Sequence, residues 1–202
     1  MDRFLALGDS YTIGEGVAPD ACWPAQLAAR LRGGGVGIDD PRIIATTGWT
    51  TDELFAAVDA ATFAPSHALV TLLIGVNDQY RGRGVDEYRS RFHALLQRAV
   101  GLGGGDATHL IVVSIPDWGG TSFAARGGHD AAVVEREIDA FNAVARAETG
   151  RAGAHWVDVT AISRATESRD EVADDGLHPS GAQYARWVDA ILPVAGEVLK
   201  RR

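Results

Sequence analysis

Short runs rich in apolar and β-branched residues alternate along this chain with longer stretches in which apolar side chains recur every three or four positions. The runs at 3–7, 42–45, 67–74, 109–115 and 155–159 predict β-strands. Between and after them, WPAQLAARLR (23–32), TTDELFAAVDAA (50–61), VDEYRSRFHALLQRAV (85–100), DAAVVEREIDAFNAVARAETG (130–150) and SGAQYARWVDAILPVAGEVLK (180–200) predict amphipathic helices. Strand and helix in regular alternation is the signature of βαβ units on a parallel sheet. Five of each predict an α/β fold, a three-layer α/β/α sandwich on a five-stranded parallel sheet.

Punctuation supports the same layout. Thr51–Asp52 reads as a helix start, as does Ser180 after Pro179, and the glycine groups at 33–37 and 101–105 read as connections after helix ends. GLGGGD (101–106) superficially resembles a dinucleotide fingerprint, but it precedes a strand instead of following one, the wrong side for cradling a pyrophosphate. The stretch DWGGTSFAARGGHD (117–130) is the one long irregular segment, with a Gly-Gly pair near each end; it predicts either a plain connection or a cover over a site.

Composition narrows the function classes. A length of 202 residues, 46% hydrophobic and 23% charged, fits one domain over 1–202 with a sizeable core. No apolar run is long enough for a membrane span or a secretory leader, which predicts a cytoplasmic protein without membrane insertion unless a leader has been removed. The single cysteine, Cys22, has no partner for a disulfide or a thiolate metal site. A net charge of −8 argues against nucleic acid as a partner. Oligomeric state is not legible.

In a parallel α/β sheet the residues just past the strand C-termini gather at one edge, where ligands bind. Four such places here hold suggestive groups: Ser10 in GDSY, Gly48 in TTGW, Asn77 in GVND, and Asp175 with His178 in DDGLH. A serine hydroxyl becomes a competent nucleophile when a base takes its proton, and histidine suits that task near neutral pH. A carboxylate on the other ring nitrogen fixes the tautomer and stabilises the imidazolium. Asp175 lies three residues before His178 in a turn-like segment, so the two can meet. Asp174, one residue earlier, competes for that role. The oxyanion of acyl transfer needs pre-aimed donors, worth roughly 3–4 kcal/mol each. The backbone N–H groups of Ser10 and Gly48 and the side-chain amide of Asn77 are the candidates. Each residue taken singly also has a plain structural reading: Ser10 as a helix cap, Asn77–Asp78 as a turn, Asp175–His178 as a helix entrance.

Together the blocks ALGDSYTIGEG, TTGWTTDEL, LLIGVNDQ and DGLHPSGAQYARW resemble the SGNH hydrolases, the GDSL esterase and lipase family, over nearly the whole chain. The resemblance implies a flavodoxin-like sandwich, hydrolysis of small or short-chain esters through an acyl-Ser10 intermediate, and no metal or organic cofactor. It also implies Asp175, not Asp174, as the partner of His178. The first block departs slightly, with Tyr11 where many relatives carry leucine. Trp49, Val76, Tyr80, Ile115, Trp118 and Leu177 lie near the predicted edge and are candidates for the substrate pocket. Two rival readings remain open at this point. Asp9, Asp78 and Asp175 could surround a divalent ion in a metal-dependent hydrolase, or the fold could bind a small ligand without chemistry, with Ser10 and Asn77 as hydrogen-bonding groups.

Overall fold

The structure is a computed structural model that describes residues 1–165 and 171–200. The strands are β1 (Phe4–Gly8), β2 (Arg42–Ala45), β3 (Leu69–Leu73), β4 (Leu110–Val113) and β5 (His155–Val157). The helices are α1 (Ser10–Ile13), α2 (Trp23–Gly33), α3 (Thr51–Ala60), α4 (Val76–Tyr80), α5 (Val85–Leu102), α6 (Ser122–Arg126), α7 (Ala131–Ala152), α8 (Thr160–Arg164) and α9 (Gly181–Lys200). The strands form one sheet in the order β2-β1-β3-β4-β5, and every pairing is parallel. Helices cover both faces, giving the expected three-layer sandwich: α2 packs against α9 on one side, and α5 packs between α3 and α7 on the other.

Burial explains why these segments are strands. Every residue of β1, β3 and β4 is buried, as the inner strands of a sheet covered on both faces must be. The edge strands β2 and β5 are only partly covered. The long helices present one apolar stripe each: Tyr88, Phe92, Leu95, Leu96, Ala99 and Leu102 on α5, and Tyr184, Trp187, Val188, Ile191, Ala195 and Val198 on α9. The exposed Pro193 does not end α9, because its apolar stripe stays packed on both sides of the proline. Among the described residues no helix is long and apolar enough to cross a membrane.

Two differences from the sequence reading matter for function. The helices α1, α4, α6 and α8 were not expected, since four or five residues are too few to display a helical period. The 117–130 stretch, expected to be irregular, contains α6, whose entry is capped by Thr121 Oγ1 accepting the Ala124 N–H at 3.2 Å.

Register then sets the edge. Gly8 pairs with Ala45 on one side and Leu73 on the other, so β1, β2 and β3 end level with one another. The chain leaves β3 through Gly75, whose φ of +129° disfavours side chains. A Cβ at Gly75 would also lie 2.7 Å from Tyr88 Cε2 and 2.8 Å from Ile115 Cδ1. Gly75→Ala is expected to destabilise the protein by about 2–4 kcal/mol through strain and overpacking, read as a lower urea midpoint at constant m-value. An unchanged midpoint would refute the tight turn into α4.

Candidate active site

Ser10 is placed by a sharp turn out of β1. A Cβ at Gly8 would sit 2.1 Å from Thr12 Oγ1 and 2.5 Å from the Leu73 carbonyl, so only glycine lets α1 fold back this closely. Asp9 caps the helix, with Oδ1 accepting the Tyr11 N–H at 3.1 Å. Ser10 is the first helical residue, so its own N–H has no partner within the helix. Asp9 is fully buried, and its Oδ2 has no partner among the described residues. Burial pushes this carboxyl up to about 7; the Tyr11 N–H opposes the rise and the nearby charge of Asp78 adds to it.

The loop after β2 carries Gly48, whose φ is +83°. Helix α4 and the residue after it tie this loop and the start of α3 down with three anchors. Asn77 Nδ2 donates to the Trp49 carbonyl at 2.9 Å. Asp78 Oδ2 accepts from Thr51 N at 2.9 Å and Thr51 Oγ1 at 2.8 Å. Arg81, in the residue that closes α4, donates from Nη2 to the Gly48 carbonyl at 2.7 Å. The loop then enters α3 through a capping box in which Thr50 N donates to Glu53 Oε2 at 2.8 Å. The Gly48 N–H has no protein partner among the described residues.

Asp175 and His178 occupy the tip of a narrow turn closed by Ala173 N donating to His178 O at 2.8 Å and Ser180 N donating to Glu171 O at 2.9 Å. Asp175 Oδ1 accepts the Leu177 and His178 N–H groups at 2.8 and 3.0 Å, while Oδ2 lies 2.6 Å from His178 Nδ1. The two oxygens are thus divided, Oδ1 closing the turn and Oδ2 meeting the His178 ring. Desolvation works to raise the Asp175 carboxyl, but the His178 ring and the two N–H groups outweigh it and hold it below its ordinary value. Asp174 does not share in the ring contact. The His178 ring leans on Tyr11, centroids 5.4 Å apart, and Tyr11 in turn packs on Trp187.

Ser10, Gly48, Asn77 and His178 come together around one cavity of about 160 Å³, although they are spread over most of the chain. Of the six expected lining residues, Val76, Tyr80, Trp118 and Leu177 are there; Trp49 and Ile115 are not. Trp49 packs its half-buried ring against the core and offers the site only its carbonyl. Ile115 is a core residue beneath Gly75, its backbone held by Asn142. Tyr11, Thr47 and Phe123 also line the cavity. Tyr11 and Thr47 were discoverable as chain neighbours of Ser10 and Gly48, whereas Phe123 carried no sequence signal.

The chain's own pattern now has a counterpart outside it: the GDSL-like lipase/acylhydrolase family matches residues 6–186. The chain belongs to that family. This GDSL-like protein is thus a carboxylic ester hydrolase. It is similar in structure to TesA, with 22% identity over 98% of this chain and 99% of that one and a TM-score of 0.75. The psychrotrophic esterase EstA from Pseudoalteromonas sp. matches at 17% identity over 99% and 100%, TM-score 0.75. The acetylxylan esterase Axe2 from Geobacillus stearothermophilus matches at 21% over 96% and 94%, TM-score 0.73. No curated protein sequence matches it.

Two features of this GDSL-like site weigh against the metal reading. Among the described residues no group of three or more His, Cys, Asp or Glu side chains is arranged to hold a metal ion. Asp78 has both oxygens engaged, by Thr51 and by Arg83 Nη1 at 3.0 Å, and Asp175 is committed to its turn and to His178.

The buried Asp9 makes a stability prediction. Its folded value of about 7 exceeds the ordinary 3.8, so between those pH values the folded chain keeps a proton that the unfolded chain loses. Stability therefore falls as pH rises through that window, by an amount on the order of 4 kcal/mol, and levels off above it. Asp9→Asn keeps the acceptor for Tyr11 and removes the titration. The variant is expected to lose less stability than the parent between pH 4 and pH 7, measured by urea unfolding. Parallel losses would show that Asp9 is not buried as a neutral acid.

Proposed function

We propose that this protein is a serine esterase for small or short-chain carboxylic esters, built as one hydrolase domain over 1–202 and working through an acyl-Ser10 intermediate. The observation that carries the reading is the 2.6 Å contact between Asp175 Oδ2 and His178 Nδ1 at a cavity that Ser10 also lines. With Nδ1–H donated to the carboxylate, the neutral ring keeps its lone pair on Nε2, the atom free to take a proton.

His178 Nε2 removes the Ser10 hydroxyl proton as Oγ attacks the ester carbonyl carbon. The carbonyl π electrons move onto oxygen, and that oxyanion accepts from Ser10 N–H, Gly48 N–H and the Asn77 amide. Asn77 gives only one of its two amide hydrogens to Trp49, and the second remains for substrate. The three tethers from Asn77, Asp78 and Arg81 keep the Gly48 and Asn77 donors aimed before substrate arrives, which is the condition for electrostatic stabilisation in the transition state. When the tetrahedral intermediate collapses, the C–O bond to the alcohol breaks and the alkoxide takes the proton from the imidazolium. Water repeats the cycle on the acyl-enzyme, releasing the acid and restoring Ser10.

Ser10→Ala is expected to lower kcat on p-nitrophenyl butanoate by about a thousandfold or more with KM little changed. A variant as active as the parent would overturn the assignment. Asp175→Asn is a sharper probe, because the amide oxygen can still accept the turn N–H groups while the ring loses its carboxylate. Its kcat is expected to drop by about 10³–10⁴ with the melting temperature nearly retained. Covalent labelling of the parent by a fluorophosphonate, absent in Ser10→Ala, separates this mechanism from a binding module. Full activity in excess chelator separates it from a metal hydrolase.

A further inference from the structure

The cavity beside Ser10 has one aromatic wall, and that wall is fixed in place. Trp118 is its centre: the ring is almost fully buried and meets Tyr80, Phe123 and His129 edge to face, with centroids 5.5, 6.2 and 4.9 Å away. Its indole N–H donates to Gln79 Oε1 at 2.9 Å, and Gln79 Nε2 donates in turn to Glu137 Oε2 on α7 at 2.7 Å. The far side of the same segment is pinned to the Asp175–His178 turn. Phe123 N donates to Gly176 O at 3.0 Å, and Arg126 Nη2 donates to Asp175 O at 3.0 Å. A stretch with glycine pairs at its ends could have been a moving cover; fastened to α4, α7 and the histidine turn, it is a standing wall.

Direction follows from the chemistry proposed for Ser10, on which this inference rests. The leaving oxygen must lie where His178 can protonate it, and the carbonyl oxygen must lie at Gly48 and Asn77. Val76 and Tyr80 flank Asn77 on α4, and Trp118 hangs from Gln79 of that same helix. An acyl chain that runs from this carbonyl along α4 meets the aromatic wall. Size follows from volume: the cavity of about 160 Å³ also holds the ester group beside Ser10, Gly48, Asn77 and His178, so the space left for the acyl chain is smaller than the roughly 150 Å³ apolar cavity that accepts benzene.

We propose that Trp118 is the specificity-determining residue for the acyl group, closing the pocket so that it takes a compact apolar acyl chain of about four to six carbons. An acetyl group leaves part of the wall uncovered and loses about fourfold in kcat/KM for each missing methylene. A long straight chain runs into the indole, which the Gln79–Glu137 relay prevents from swinging aside.

The test is kcat/KM on p-nitrophenyl acetate, butanoate, hexanoate, octanoate and decanoate for the parent, Trp118→Ala and Phe123→Ala. The parent is expected to peak at butanoate or hexanoate and to fall by about tenfold or more at decanoate. Trp118→Ala is expected to move the maximum to octanoate or decanoate and to raise the decanoate-to-butanoate ratio by about tenfold, as a few extra buried methylenes would. Phe123→Ala, at a half-buried place on the same wall, shifts the ratio in the same direction and serves if Trp118→Ala does not fold. A parent that prefers decanoate, or a ratio unmoved in the folded variants while Ser10→Ala is dead, overturns the role of Trp118 and leaves the serine mechanism standing. A parent inert on every ester, or one whose activity survives Ser10→Ala, overturns the reading of Ser10 itself and the acyl pocket with it.

Discussion

The carboxylate of Asp78 joins two parts of the chain that must stay in register for the site to exist. Its Oδ2 holds the first turn of α3 through Thr51, and its Oδ1 takes the Arg83 guanidinium, so the helix bearing Asn77 and the loop bearing Gly48 cannot drift apart. The group is wholly buried. A buried charge is tolerated only when it is both paired and hydrogen-bonded, and Asp78 meets both conditions with partners drawn from either side of the joint. Breaking such a pair costs roughly 3–5 kcal/mol, a large share of the stability of an ordinary domain. The donor loop is therefore held by an interaction that the fold as a whole depends on.

Two other aspartates, Asp9 and Asp175, show how differently the same side chain is used elsewhere in the fold. Asp175 is partly exposed, fully bonded and held ionised, which suits the role proposed for it beside His178. Asp9 is sealed under the first turn of α1 with one oxygen unbonded, and its carboxyl is pushed up to about 7. The contrast comes from solvent and partners, not from residue type. Keeping Asp9 neutral avoids an unpaired buried negative charge beside the paired carboxylate of Asp78, at the expense of stability above the pH where an exposed aspartate would ionise.

Much of this was readable before any coordinates. The strand segments follow from short apolar runs, fully buried in β1, β3 and β4, and the five long helices from periodicity, because each helix buries a face long enough to show its period. The residues past the ends of β1, β2 and β3 follow from one rule about parallel sheets, and Gly8, Ala45 and Leu73 standing level is that rule in coordinates. What was not readable depended on short elements and on contacts between distant segments. Nothing local in GVNDQY announces α4, and nothing at all in the sequence pairs Arg81 with the Gly48 carbonyl or Gln79 with Trp118. Ile115 and Trp49 were expected at the pocket because position along a strand end says which edge a residue occupies, not which way its side chain turns. Phe123 was missed for the converse reason, since it reaches the pocket only because α6 forms and docks on Gly176.

Under the proposed mechanism, the docking of α6 would also link acyl selection to catalysis. The segment that supplies Trp118 and Phe123 to the acyl wall is the same one that holds the Asp175–Gly176 backbone through Ser122, Phe123 and Arg126. A Cβ at Gly176 would lie 2.2 Å from Ser122 Oγ, so the two surfaces meet without slack. Any acyl group that pushes the wall outward pushes on the turn that aims His178. Close-packed interiors transmit such displacements instead of absorbing them, and misplacement by about 1 Å at a catalytic group can cost a hundredfold in rate. If Trp118 closes the acyl pocket and His178 is the base, as proposed, an oversized acyl chain is penalised twice, once by its clash with the indole and again through the imidazole it displaces, so that poor fit registers in kcat as well as in KM.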